Sequence, residues 1–75
     1  MINSDKIKKD FGKFIKTERE RQYLTQWQVA DMVGISQVHL CHLENGNRRI
    51  DFPLAIALCH ALRLDLRVFL DKYVQ

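Results

Sequence analysis

Seventy-five residues are enough for one small domain and little more, because a chain this short buries a modest fraction of its surface. With 47% of its residues apolar it reads as globular rather than as a disordered tail, and no apolar run approaches the ~20 residues of a membrane span. The net charge of +3 permits a polyanionic partner without demanding one.

The opening MINSDKIKKD has no apolar core of the kind a signal peptide carries. With only two cysteines, Cys41 and Cys59, the expectation is a soluble, cytoplasmic protein with reduced thiols and no disulfide. No repeat, low-complexity stretch or linker divides the chain, so residues 1–75 read as a single domain. Asn3, Ser4 or Asp5 can cap a first helix reaching about Gln22, since each offers an oxygen to the first free amides. Ile7, Phe11 and Ile15 share a stripe at four-residue spacing with Phe14 beside them, and Arg19 follows on that same stripe. Seven Lys or Arg and four Asp or Glu lie between Met1 and Gln22, whereas from Tyr23 to Leu43 the only formal charge is Asp31. A nucleic-acid surface in that second stretch would read with neutral polar side chains and hold phosphate with its flanks.

Tyr23 and Leu24 break the periodicity, and Thr25 is a good N-cap for a second helix from Gln26 to about Val33. Gly34 supplies the left-handed backbone that ends it, Ile35 plugs the corner, and Ser36 caps a third helix from Gln37 to about Glu44. Asn45-Gly46 stops the third helix, and Asn47 to Ile50 reads as a surface loop. Asp51 caps a fourth helix with Pro53 in its first turn, burying Leu54, Ala55, Leu58, Cys59 and Leu62. Asp65 caps a fifth through about Tyr73, with Leu66, Phe69 and Leu70 apolar. Five helices without a strand signal predict an all-α domain held by packing, since isolated helices of this length are marginal in water.

The stretch TQWQVADMVGISQVHLCHLENG, residues 25–46, is therefore a helix-turn-helix in pattern. Val29, Ala30, Val33, Ile35, Leu40 and Leu43 are apolar where its helices touch, while Gln37, Val38, Cys41 and His42 project away from Leu40 and Leu43. Such a unit sets the N-terminal part of its second helix into the DNA major groove. Gln37 suits a bidentate pair with adenine, Val38 a thymine methyl, and His42 a guanine acceptor. Cys41, a weak donor, is left without a role. His39 lies toward the flank and is expected to reach phosphate.

These residues resemble the phage-repressor and Cro-like helix-turn-helix family, also called the xenobiotic-response-element family. Its opening Leu-Gly, Ile, Arg is similar to Phe11-Gly12, Ile15 and Arg19, and its Leu-Thr-Gln to Leu24-Thr25-Gln26. Ala, Gly-Val-Ser and Ile correspond to Ala30, Gly34-Ile35-Ser36 and Leu40, and Glu-x-Gly-x-Arg to Glu44, Gly46 and Arg48. The resemblance spans about Phe11 to Leu70; Trp27 is unusually bulky for it, and Ile50 stands where a loop proline is common. It implies a five-helix, lambda-repressor-like fold and a structural ion pair between Arg19 and Glu44. It also implies phosphate contacts from Gln26, Ser36, Asn45, Asn47 and Arg48, with Arg49 a weaker candidate.

Other chemistry finds little support. His39, Cys41 and His42 offer metal-ligand atoms, but zinc wants four such ligands and the only further ones, Cys59 and His60, lie on another helix, so no metal and no cofactor are expected. No glycine-rich phosphate loop or nucleophile with a base is present, and an enzyme is not expected. The expected function is sequence-specific transcriptional regulation, as a repressor binding double-stranded DNA at a palindromic operator as a homodimer. Arg67, Val68, Lys72, Tyr73 and Val74 are the candidate dimer surface. The alternatives are an antitoxin that sequesters a toxin, motivated by Trp27 off the apolar stripe, and a restriction–modification controller protein.

Overall fold

Asn3 accepts the amides of Asp5 and Lys6 on its side-chain oxygen, which starts α1, Ser4–Arg21. The computed structural model describes residues 3–73. It continues with α2 (Gln26–Val33), α3 (Gln37–Glu44), α4 (Phe52–Ala61) and α5 (Leu66–Leu70), with no strand among the described residues. Each later helix opens on the cap its sequence announces. Thr25 and Gln28 form a reciprocal capping box for α2, and Ser36, Asp51 and Asp65 accept amides of α3, α4 and α5. Gly34 ends α2 at φ 76°, a left-handed backbone that costs a residue with a Cβ about 1–2 kcal/mol.

Ile15, Val29, Leu40, Leu43, Leu58 and Leu62 are fully buried and bring one residue or more from each of α1 to α3 and the α4 end into one core. Phe11 and Phe69 meet edge-to-face with centroids 5.2 Å apart, joining α5 to α1. The glycine on α1 has a packing reason. A Cβ at Gly12 would run into the Leu43 carbonyl oxygen and lie 2.9 Å from that of Glu44, so α1 crosses the C-terminal end of α3 at backbone contact.

The sequence pattern extends the fifth helix to about Tyr73, but α5 stops at Leu70. Beyond it the amides of Lys72 and Tyr73 bond the carbonyls of Phe69 and Leu70, three residues back, so the chain tightens into turns. That tightening swings Tyr73 inward. Its hydroxyl donates to Asp10 on α1 and its ring packs 5.5 Å from Phe69. Tyr73 is thus engaged within its own domain and is not left over for a dimer surface. Val74 lies outside the described residues. No helix among those residues is long and apolar enough to cross a membrane.

Candidate nucleic-acid interface

The spacing of α3 decides which side chains point where. Leu40, Leu43 and Glu44 turn inward, so Val38, 59% exposed, and His42 are left on the open face, with Gln37 and Cys41 half-buried at its edges. Glu44 is the exceptional member of the inward set, because a lone buried carboxylate would be costly. Arg19 meets it from α1: Nε donates to Oε2 at 2.7 Å and Nη2 to Oε1 at 3.0 Å. Arg19 Nη1 also donates to the Leu24 carbonyl at 2.8 Å, fixing the turn into α2. The bonded carboxylate raises the Arg19 guanidinium further above its ordinary range, against the opposing effect of burial.

The polar chain does not stop at that pair. Gln26 Nε2 donates to Glu44 Oε1 at 2.9 Å, and Gln37 Nε2 donates to Gln26 Oε1 at 2.6 Å. Four side chains from α1, α2 and α3 are therefore joined in series, ending at the first residue of α3. The arrangement leaves Gln37 with a free carbonyl oxygen and one amide hydrogen, the set needed to accept from and donate to an adenine edge. Gln26 keeps one amide hydrogen for a phosphate. Sequence reasoning placed Gln26 and Gln37 separately; their spacing of eleven residues becomes a contact only through the angle between α2 and α3.

Around this line, Ser36 is engaged as a cap through the His39 amide, and Asn45, Asn47 and Arg48 are exposed beyond the α3 C-terminus. Asn45 Nδ2 also reaches Cys41 Sγ at 3.8 Å, a weak contact that leaves its carbonyl oxygen open. His39 is half-buried at the flank of α3. Its Nε2 is shut off from solvent with no hydrogen-bond partner among the described residues, so that ring nitrogen faces the protein rather than a backbone oxygen of DNA. Trp27 is 72% exposed and Tyr23 94%, so neither ring covers α1. Among the described residues no three His, Cys, Asp or Glu side chains are grouped to hold a metal.

A family model of the helix-turn-helix, Cro/C1 type, matches residues 15–69, which spans Arg19, both helices of the motif and Phe69. The chain belongs to the helix-turn-helix family. The family is one of DNA-binding transcription regulators, and the polar line from Arg19 to Gln37 ends at the first residue of the motif's second helix. Among solved structures the chain is similar to the clp gene regulator ClgR from C. glutamicum, with a TM-score of 0.82, 23% identity, and coverage of 88% of this chain and 85% of that one. At that identity the likeness is one of fold. No curated protein matches the chain.

Proposed function

We propose that this regulator is a repressor that reads a palindromic operator as a homodimer, through α3 in the major groove. The observation that carries the reading is the Gln37 amide held by Gln26 beside exposed Val38 and His42, an uncharged constellation suited to base edges rather than to phosphate alone. Gln26, Ser36, Asn45, Asn47 and Arg48 would set the register on the backbone. In-vitro selection of bound DNA tests this. An enriched palindrome is expected, and an absence of enrichment at moderate salt would overturn it.

A dimer needs a second surface, and the favoured one combines α5 with the starts of α1 and α4. There Ile7, Phe11, Ile50, Phe52, Leu66 and Leu70 line an open groove of about 500 Å³, with Phe52 68% and Leu70 41% exposed. Its rim carries both signs, Lys8 and Arg49 against Asp5 and Asp51, as a two-fold interface pairing one patch with itself requires. Phe52→Glu should therefore yield a monomer in sedimentation and weaken operator binding. A dimer that persists removes this surface. Exposed Trp27 favours the antitoxin reading as the second choice, because exposed tryptophan is common at interface hot spots. Copurification with a stoichiometric protein partner released by Trp27→Ala would support it.

A further inference from the structure

Taking the DNA reading above as its basis, we propose that the α1 helix itself binds the DNA backbone, through Lys9 and Lys16. Both stand on one stripe of α1, two turns apart and about 10 Å along the helix. Gly12, between them, lies against the carbonyls of Leu43 and Glu44, which fixes that stripe along the C-terminal end of α3. Lys9 is pinned more closely still. A Cβ on Gly46 would lie 3.0 Å from Lys9 Cα, so the lysine stem rests on the turn that leads to Asn47 and Arg48.

The pairing of cations sets these two apart from much of the helix. Lys6, Lys8, Arg19 and Arg21 on α1 each have a carboxylate within 4.0 Å, as does Arg67 on α5. Lys9, Lys13 and Lys16 are exposed and have none among the described residues, and of these Lys9 and Lys16 lie nearest the Gly12 stripe that meets α3. Two ammonium groups beside the C-terminal edge of a nearly uncharged reading helix supply the phosphate attraction that α2 and α3 lack. A rigid helix also holds them at fixed separation, whereas Arg48 rides on a loop.

Counterion release gives the proposal a measurable signature, since each phosphate contact contributes about −0.9 to the slope of log K against log salt. The full chain is titrated into a labelled duplex of about 30 base pairs and arbitrary sequence across a salt series, where binding is purely electrostatic. Lys9→Gln with Lys16→Gln is expected to reduce the magnitude of the slope by about 1.8, and Lys9→Arg with Lys16→Arg to retain it. Arg63→Gln removes one formal charge at the turn between α4 and α5 and is expected to leave the slope near that of wild type. Unfolding midpoints establish that the variants are folded. An unchanged slope in the Lys9/Lys16 variant, or a fall in Arg63→Gln as large per charge removed, would overturn the proposal while leaving the DNA reading intact. A wild-type chain that binds no duplex at low salt would overturn both.

Discussion

α1 is held at its two ends by polar ties of opposite character. Near its C-terminus, Arg19 grips Glu44 by two bonds in a site where the residues are only 7% and 5% exposed. Near its start, Asp10 takes a proton donor from Tyr73 and an ammonium from Lys6 at 2.8 Å, in a partly open setting. The first tie is buried, bidentate and connected through Gln26 to the start of α3; the second is open to solvent and closes the C-terminal turn onto α1. Breaking the first leaves a charge stranded in the core, while breaking the second leaves groups that water can satisfy. Burial, more than the number of bonds, separates a tie that specifies the fold from one that trims it.

Arg19→Ala should have the largest effect, because it abandons Glu44 in the interior. A loss of about 3–5 kcal/mol is expected in denaturant unfolding. Replacing both partners with apolar residues, Arg19→Met with Glu44→Leu, should recover most of that stability. It should nonetheless relax base preference at the Gln37 position, since Gln26 loses its anchor on Glu44. If the double variant keeps full preference, the polar series does not position Gln37. Gly12→Ala comes next: with two backbone carbonyls in the way, α1 must lift from α3, at a cost of about 1–3 kcal/mol.

The smallest change falls on the open tie and is best seen through pH. The bond to Asp10 and partial burial push the Tyr73 phenol up to about 12. Its folded value thus lies above the ordinary 10, so the unfolded chain releases the proton first. The stability it adds is full below pH 10 and disappears as pH rises toward about 12. Tyr73→Phe should remove that alkaline decline and lower the neutral-pH midpoint by the same modest amount, because the tie is open to solvent. The bonds from Lys6 and then Tyr73 hold the Asp10 carboxyl below its ordinary range, so its contribution is present above that range and is lost as pH falls through the lowered value. Asp10→Asn should flatten that acid limb in a pH series of thermal melts.

The two ties also differ in how far the amino-acid sequence foretold them. Arg19 and Glu44 stand on apolar stripes of their own helices, and that local anomaly is visible at a spacing of four. The caps at Thr25, Ser36, Asp51 and Asp65 were equally legible, because each acts on amides two or three residues away. Tyr73 and Asp10 are 63 residues apart and neither breaks a pattern, so the inward swing of the last turn had no signal. The aim of the His39 ring was hidden for a related reason: periodicity places a Cα, whereas the direction of an imidazole nitrogen depends on its neighbours. The bond between Gln26 and Gln37 needed the angle between two helices, which only the folded chain supplies.

Two helix ends are closed in a less comfortable way than the Gly34 turn. Tyr23 and Arg63 both adopt φ 59°, and the residues after them, Leu24 and Leu64, send their amides back to Arg19 and Cys59. A side chain with a Cβ is unfavourable in that conformation by about 1–2 kcal/mol. Both residues are exposed, and neither belongs to the line from Arg19 to Gln37. The domain therefore carries untapped stability at two exposed turns outside α3. Substitutions that strain α3 or its polar line have a separate reserve to draw on, since relieving either turn would offset them without touching that line.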